Sequence, residues 1–333
     1  MRVLFASLAS VGHTYPMIPL AVAAREAGHE VHFAAGEEVH FALHQNRLEP
    51  FRPADVFYEM YAEDLESDLA RLRPDLVVHG WGVPGAAIAA ARAGIPGLWH
   101  GFGRMFPDGI GLELPTAIAE APGRPHLDIC PPSLQDKDFL TGADRIELRP
   151  VPFAAPGEVP TWNGSRPLIY LTFGTAFATS VLLTTAMAGL AKLGGWVVVA
   201  AGRVPPTELG ALPAGVTVRP WVPQTDLLAH VDLVVHHGGS GTTLGALARG
   251  LPQLVLPQGA DQFANAEAVH AAGAGLRLLP EEVSVETVAD HARDLLAPRG
   301  GHRDAARAVA EEIARMPSPA EVARRLPDHA KRG

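Results

Sequence analysis

The sequence predicts two α/β domains, each built on a doubly wound parallel sheet with helices on both faces. Three observations lead to this prediction. Short apolar runs alternate with longer helical patterns along most of the chain, which is the rhythm of βαβ units. Near the middle, prolines and glycines interrupt this rhythm, and it then restarts. The length of 333 residues also exceeds that of one ordinary domain of roughly 100–200 residues.

The first predicted domain covers residues 1–148. Strands are predicted at 3–8, 30–35, 75–78 and 95–100, and helices at 16–27 and 85–93. Gly28 and Gly94 lie just past the two predicted helices, where glycine readily adopts the backbone conformation that ends a helix. The order of strand, helix and strand favours a parallel sheet that is covered on both faces.

Residues 149–167 are predicted to form an interdomain linker, because five prolines and two glycines interrupt every period there. The second domain is predicted at 168–333, including a helical tail with a break at Pro317. Its strands are predicted at 168–172, 196–200, 216–219, 233–236 and 253–256, and its helices at 180–193, 242–249, 261–272 and 285–296. Open sheets of this kind bind ligands at the carboxyl ends of their strands, so a cleft between the domains is the expected binding place.

Composition excludes several classes of function. Hydrophobic residues make up 47% of the chain and charged residues 19%, which is enough apolar material for two cores. The net charge of −9 offers no basic surface, so nucleic acid is not an expected partner. No apolar run reaches the ~18 residues of a membrane span. Cys130 is the sole cysteine and the chain starts without a signal-peptide pattern, so a cytoplasmic location is expected.

A histidine follows the first predicted strand, in the sequence Gly12-His13. Histidine is the side chain best suited to accept a proton near neutral pH, which makes His13 a candidate general base. The alternative is a histidine at a helix start that bonds only to backbone, and the position alone does not separate the two.

A glycine-rich segment, 236–242, reads His-His-Gly-Gly-Ser-Gly-Thr and joins a predicted strand to a helix. Glycines allow a ligand to approach the backbone, and a helix start presents free N–H groups to an anion, so a diphosphate fits this segment. It lacks the Lys-Ser/Thr pair of a Walker loop. The alternative is a glycine turn followed by a hydroxyl cap.

Two further segments offer groups for a nucleotide sugar. Trp221 and Gln224 follow a strand, where an indole can stack on a base and an amide can bond to it. Asp261 and Gln262 start a helix and suit sugar hydroxyls. The alternatives are a core tryptophan and a pair of helix caps.

Two patterns that resemble metal sites are not expected to bind metal. Asp136 and Asp138 form a D-x-D sequence, but they lie in an irregular stretch near the linker. His40 and His44 have helical i,i+4 spacing without a third ligand nearby. No metal site and no cofactor are therefore predicted.

Together these segments resemble the family-1 glycosyltransferases of the GT-B fold, and most closely the bacterial enzymes that glycosylate polyketide and other antibiotic aglycones. The segments that carry the resemblance are 12–20, 27–31, 127–135, 173–175, 221–224, 236–239, 250–252 and 257–262. The resemblance implies two Rossmann-like domains facing a central cleft. The first would bind a small-molecule acceptor and the second a nucleotide-diphosphate sugar.

The resemblance also implies roles for individual residues in an inverting, metal-independent transfer. His13 would be the general base, Trp221 would stack on the nucleobase, and His237 would bind the diphosphate. The predicted donor-binding residues are Gly12, Thr175, Trp221, Val222, Gln224, His237, Gly239, Ser240, Gly241, Thr242, Asp261 and Gln262. The oligomeric state is left open.

Three departures from the family pattern qualify this resemblance. Gly80 stands where many members have the Asp that orients the catalytic His. Gly245 replaces the Glu with which plant members hold both ribose hydroxyls, and this favours a dTDP-sugar over a UDP-sugar. The N-terminal half is also short, at 53–65 and 103–121. The alternatives are a catalytically weak or auxiliary sugar-nucleotide-binding protein and a GT-B-fold epimerase.

Overall fold

The computed structural model divides into two compact units. Unit 1 runs from Met1 to Phe153 and resumes at Arg315, whereas unit 2 spans the chain between these segments. The structure describes residues 1–53, 62–105, 125–153, 157–162, 167–174 and 177–330. Among these residues, no helix has both the length and the apolar character needed to cross a lipid bilayer.

Unit 1 is built on a parallel sheet. Its strands within the described residues are β1 (Arg2–Ala6), β2 (Glu30–Ala34), β3 (Glu49–Phe51), β4 (Leu76–Gly80), β5 (Gly97–His100), β6 (His126–Asp128) and β7 (Arg145–Glu147). Their order is β3-β2-β1-β4-β5-β6-β7. The four predicted strands are confirmed, with ends that differ by two residues at most. The pattern does not predict β3, β6 or β7, because three residues are too few to show a period.

The described helices of unit 1 are α1 (Val11–Thr14), α2 (Ile18–Glu26), α3 (His40–Gln45), α4 (Ala62–Leu72), α5 (Pro84–Arg92) and α6 (Lys137–Gly142). The longer ones, α2, α4 and α5, pack through apolar side chains. In α4 the buried residues are Ala62, Leu65, Leu69 and Leu72, which lie on one face. They share a core cluster with Ala86 and Ala89 of α5.

Unit 2 repeats this architecture. Its strands are β8 (Leu168–Thr172), β9 (Trp196–Ala200), β10 (Val216–Arg219), β11 (Leu233–His236), β12 (Gln253–Val255) and β13 (Gly275–Arg277). All neighbouring strands are parallel, in the order β10-β9-β8-β11-β12-β13. The described helices are α7 (Ser180–Ala191), α8 (Gln224–Leu227), α9 (Ser240–Ala248), α10 (Gln262–Ala271), α11 (Val285–Leu296) and α12 (His302–Arg315).

Both faces of the second sheet are buried, as the continuous apolar strands predict. Leu168 and Tyr170 of β8 belong to one core cluster, whereas Ile169 and Leu171 belong to the other. Successive side chains of a strand point to opposite faces, so each face of the sheet has its own apolar layer. This rigid framework holds the loops at the carboxyl ends of the strands.

The C-terminal tail differs from the predicted division at 168–333. The break at Pro317 is confirmed, and it is followed by α13 (Pro319–Ala330). This helix packs on α2 of unit 1. The Arg149 backbone N–H donates to Pro317 O at 2.8 Å, and His29 Nε2 lies 3.3 Å from Ala323 O. The tail therefore completes unit 1, because its apolar face finds a partner there that the sequence pattern does not reveal.

Candidate active site

In each sheet the strand order reverses near the centre, between β1 and β4 in unit 1 and between β8 and β11 in unit 2. Open α/β sheets bind ligands beyond the carboxyl ends of the strands at such a reversal. The segment after β1 carries His13, and the segment after β11 carries His237. The predicted catalytic and diphosphate-binding histidines thus occupy corresponding positions in the two units.

The His237 imidazole lies between two glycines. A Cβ atom added at Gly174, after β8, would lie 2.9 Å from His237 Cε1. One added at Gly239 would lie 2.6 Å from His237 Nε2. Both distances are shorter than real Cβ contacts, so only glycine fits at either position while the ring stays in place. Gly174 also has a φ of +68°, which favours glycine.

The environment of His237 keeps its ring neutral near pH 7. Burial lowers the pKa of His237 to about 4, and the Thr172 backbone opposes this fall only in part. Its Nδ1 atom is buried and has no hydrogen-bond partner within the described part of the chain. Buried polar atoms of this kind normally have a partner. The arrangement suits a ligand atom that bonds to the imidazole.

The start of α9 lies beside this ring. Gly239, the residue before the helix, supplies no side-chain cap to the first-turn N–H groups. Uncapped N–H groups at a helix start attract anions. A Cβ added at Gly241 would have nothing within 4 Å of it, so the first turn is not closed off by the described residues. The turn can therefore admit phosphate oxygens.

Two hydroxyls of this turn are bonded to other side chains. Ser240 Oγ donates to Asp261 Oδ2 at 2.9 Å, and Thr242 Oγ1 donates to Gln224 Oε1 at 3.2 Å. The same Gln224 oxygen accepts from the Tyr170 hydroxyl at 3.3 Å. Since two hydroxyls engage Oε1, the amide Nε2 is the group of Gln224 that remains for a ligand.

Trp221 presents an indole to solvent. It is 48% exposed, unlike a core tryptophan. A Cβ added at Gly157 would lie 2.6 Å from Trp221 Cζ3, so the backbone at Gly157, which belongs to unit 2, lies against the ring. Val222 is different, because it is 2% exposed and packs in a core cluster with Leu227. Only the backbone of Val222 can contact a ligand.

Asp261 is held by two hydrogen bonds on one oxygen. Its Oδ2 accepts from Ser240 Oγ at 2.9 Å and from Asn265 Nδ2 at 2.8 Å. Burial raises the pKa of the Asp261 carboxyl, and the bonds from Ser240 and Asn265 oppose this rise. The preceding residue, Ala260, has a φ of +53°. This left-handed conformation costs roughly 1–2 kcal/mol in a residue with a Cβ.

Gln262 has a local bonding role in this structure. It is 2% exposed, and its Oε1 accepts from the backbone N–H of Gln258 at 2.8 Å and of Gly259 at 3.3 Å. These bonds hold the loop that precedes α10. A ligand contact of the Gln262 side chain would therefore involve Nε2.

His13 lies in α1, and aromatic and aliphatic neighbours hold its ring. The ring centroid is 5.1 Å from that of Phe102, with 47° between the planes. A Cβ added at Gly82 would lie 2.4 Å from Leu8 Cδ1 and 3.4 Å from His13 Cε1. Burial lowers the pKa of His13, so its ring is neutral near pH 7 and can accept a proton. A Cβ at Gly12 would meet nothing within 4 Å.

Gly80 leaves the end of β4 without the carboxylate that many members of the resembled family carry at this position. Gly80 ends β4, and a Cβ added to it would lie 3.4 Å from Met17 Sδ. Within the described residues, burial is the one influence that moves the His13 pKa, and no carboxylate opposes it. Packing against Phe102 is the orienting contact that the structure shows.

Thr175 lies outside the described residues. The two metal-like patterns have other contacts: Asp136 Oδ1 accepts from the backbone N–H of Asp138 and Phe139 at 3.0 Å, and His40 Nε2 bonds to a backbone oxygen. No group of three or more potential metal ligands occurs among the residues the structure describes. Within the segment 127–135, Gln135 Nε2 donates to the buried Asp128 Oδ1 at 2.9 Å, which is a structural contact.

Sequence reasoning misses four residues of the site: Asn265, Tyr170, Gly157 and Gly82. Asn265 carries a usable signal, because it lies four residues after Asp261 and so shares its face of the helix. Tyr170 sits inside an apolar strand and gives no polar signal. The two glycines contact residues far away in sequence, which no local pattern reveals.

Comparison with known proteins shows the family to which the chain belongs. Residues 184–328 match the family model of the erythromycin biosynthesis protein CIII-like C-terminal domain. The chain is 34% identical to an L-demethylnoviosyl transferase of Streptomyces niveus, over 98% of this chain and 97% of the relative. That alignment extends over 376 positions, so the relative carries insertions with respect to these 333 residues.

Two solved structures resemble the chain over nearly its whole length. The glycosyltransferase SnogD from Streptomyces nogalater has a TM-score of 0.83 and 29% identity, over 99% of both chains. The spinosyn rhamnosyltransferase SpnG, complexed with thymidine diphosphate, has a TM-score of 0.81 and 27% identity, over 98% of this chain and 100% of SpnG. The fold and these relatives thus define a glycosyltransferase of the GT-B fold. Within that class, the chain belongs to the family of bacterial natural-product glycosyltransferases.

Proposed function

We propose that this glycosyltransferase transfers a sugar from a dTDP-linked donor to a hydroxyl of a natural-product aglycone, with inversion and without a metal ion. The observation that carries the proposal is the neutral His237 ring, held between two glycines beside the uncapped start of α9. These groups supply N–H donors for a diphosphate. Trp221 and Gln224 supply a stacking face and an amide for its nucleoside.

The residue at position 245 favours a deoxyribose donor over a ribose donor. Gly245 is buried in α9 and provides no carboxylate for a ribose 2′-hydroxyl. A site without that acceptor loses little by binding a nucleotide that lacks the hydroxyl. The similar SpnG structure contains thymidine diphosphate, which supports the same preference.

The chemical step would begin at the neutral His13 ring. One ring nitrogen accepts the proton of the acceptor O–H group as its oxygen forms a bond to the anomeric carbon. The bond from that carbon to the diphosphate oxygen breaks, and its electron pair leaves with the diphosphate. Attack opposite the leaving group inverts the anomeric carbon. His237 and the α9 start stabilise the negative charge that develops on the leaving group.

Independence from metal follows from the same donors. A diphosphate leaving group needs its growing charge stabilised, and helix N–H groups and an imidazole N–H can do this. The residues Asp136 and Asp138 do not offer an open metal site, because Asp136 Oδ1 already accepts two backbone N–H bonds. The transfer is therefore expected to proceed in the presence of a chelator.

Calorimetric titration with dTDP and UDP in EDTA tests the donor assignment. Wild-type protein should bind dTDP more tightly than UDP, and His237→Ala should bind dTDP at least tenfold more weakly, which corresponds to about 1.4 kcal/mol. His270→Ala is the matched control, because His270 is exposed on α10. Equal binding of dTDP by both variants would contradict the diphosphate site, and tighter UDP binding would contradict the dTDP preference.

Release of dTDP from dTDP-glucose, followed with and without added aglycones, tests the reaction class. Transfer predicts release that depends on the aglycone. Release at the same rate without any aglycone would contradict the transfer mechanism and favour chemistry on the nucleotide sugar alone.

A further inference from the structure

Asn265 connects three groups around the donor loop. Its Nδ2 lies 2.8 Å from Gly238 O, 2.8 Å from Asp261 Oδ2 and 3.1 Å from Ser240 Oγ. An amide nitrogen carries two hydrogens, and the two shorter contacts account for both. Asn265 is 4% exposed, so these bonds are shielded from water. The side chain therefore ties the Asp261 carboxylate to the backbone of the glycine-rich loop.

The bonding leaves one carboxylate oxygen for a ligand. The Ser240 and Asn265 side chains both donate to Oδ2 of Asp261, so Oδ1 keeps a lone pair that can accept a bond from a ligand. Bonds to a charged acceptor are roughly twice as strong as neutral ones. They also fix the rotation of the carboxylate group. The direction of Oδ1 is thus set by Ser240 and Asn265.

The backbone is restricted at both ends of this connection, near Gly238 and near Asp261. Gly238 has a φ of +93°, and a Cβ added there would lie 2.9 Å from both Gln262 O and Val255 Cγ1. The loop is consequently confined on that side. At the other end, Ala260 holds a left-handed conformation immediately before Asp261. A strained conformation persists only where neighbouring contacts maintain it.

We infer that Asn265 is a positioning residue for the donor sugar. Together with Ser240, it holds Asp261 against the glycine-rich loop so that Oδ1 accepts a hydroxyl of the sugar. This inference rests on the proposed function, because it assumes a nucleotide-sugar donor. The nucleotide itself does not use this connection, so losing Asn265 should weaken recognition of the sugar and leave recognition of the nucleotide largely intact.

The test compares the binding of dTDP with that of dTDP-glucose, by calorimetry without acceptor. The variants are Asn265→Ala and Ser240→Ala, since the first also loses the Gly238 bond and the second does not. Asn46→Ala is the matched control, because Asn46 Nδ2 donates to Ala42 O at 2.8 Å in unit 1. Both site variants should bind dTDP-glucose about tenfold more weakly than wild type, as expected for the loss of a hydrogen bond to a charged group. Their affinity for dTDP should stay within about twofold of wild type.

Each outcome distinguishes the inference from its alternatives. A parallel loss of dTDP and dTDP-glucose affinity in Ser240→Ala would overturn it, because the network would then support the loop in general. Unchanged affinity for both ligands would overturn it too. If Asn265→Ala does not fold, Asn265→Ser is measured in its place, because Ser240→Ala leaves the Asn265 bonds to Asp261 and Gly238 intact. If the wild-type protein binds neither ligand, the proposed function and this inference both fail. The two outcomes above differ from this one, because in them the wild-type protein still binds both ligands.

Discussion

Thr242 and Gln224 are joined by a hydrogen bond of 3.2 Å between Oγ1 and Oε1. Thr242 lies in the first turn of α9, and Gln224 begins α8, directly after the Trp221 loop. The bond therefore connects the segment proposed to bind the diphosphate with the segment proposed to bind the nucleoside. Because Oε1 of Gln224 faces Thr242, the amide nitrogen Nε2 is directed away from this hydroxyl.

Removing this hydroxyl should weaken nucleotide binding. In Thr242→Val, Gln224 loses one of its two hydroxyl donors and its amide is less well oriented. We expect dTDP affinity to fall about two- to tenfold, the range of one hydrogen bond. Calorimetry measures this. Thr184→Val is the control, because the Thr184 hydroxyl bonds to backbone oxygens of its own helix. Equal affinities in the two variants would show that the bond does not support binding.

A side chain at Gly157 should displace the Trp221 indole. The added Cβ of Gly157→Ala would lie 2.6 Å from Trp221 Cζ3, so the ring must move. We expect weaker dTDP binding and an altered tryptophan fluorescence spectrum. Gly142→Ala is the control, since a Cβ there meets nothing within 4 Å. If Gly157→Ala binds dTDP like Gly142→Ala, the position of the indole does not affect the nucleoside site.

Loss of the His13 imidazole should lower turnover and leave donor binding unchanged. We expect His13→Ala to lower kcat by about 10²–10⁴-fold, the usual contribution of a general base. Affinity for dTDP should stay within about twofold of wild type, because the residues proposed to bind the diphosphate belong to unit 2. His44→Ala, on an exposed face of α3, serves as the control. Unchanged turnover in His13→Ala would rule out its role as the base.

Acid should destabilise the protein through its buried histidines. Burial lowers the pKa of His100 to about 4, of His126 to about 3, of His236 to about 3 and of His237 to about 4. Below pH 6.5 the unfolded chain binds protons at these sites while the folded chain does not, so the free energy of unfolding falls as pH decreases from about 6.5 to 4. Asp128 and Asp261 oppose this, because burial raises their pKa values.

Urea unfolding at a series of pH values measures this effect. The urea midpoint should decrease steadily between pH 6.5 and 4. A midpoint that stays constant, or that rises, over this interval would contradict the proposed protonation states of the four histidines. The activity of His13 does not enter this measurement, so the result is independent of the catalytic assignment.

Much of the fold is readable from the sequence, because fully buried parallel strands appear as continuous apolar runs. The predicted strands at 168–172, 196–200, 216–219 and 233–236 agree with β8 to β11 residue for residue. The tail was less accessible to this reasoning. Its helical period is visible, but the period does not say whether α13 packs on unit 1 or on unit 2.

The site can be predicted from the sequence only in part, because its geometry depends on contacts between distant segments. Residue type and spacing predict that Ser240 and Gln262 lie near the donor, yet they do not reveal which polar atoms bond within the protein. Ser240 Oγ bonds to Asp261, and Gln262 Oε1 bonds to loop N–H groups. Likewise, the sequence shows Gly174 and Gly239 as loop glycines, and only the three-dimensional arrangement shows that both make room for His237.

The return of the chain to unit 1 after Arg315 makes the order of synthesis matter. Translation produces the N-terminal end first, and domains generally fold as they emerge from the ribosome. Here the apolar residues Val322, Ala323 and Leu326 of α13 are made long after α2, the helix on which α13 packs. Unit 1 therefore cannot reach its final packing until α13 has been translated. A premature stop codon just before α13 would damage the unit that carries His13 and leave the sheet of unit 2 complete.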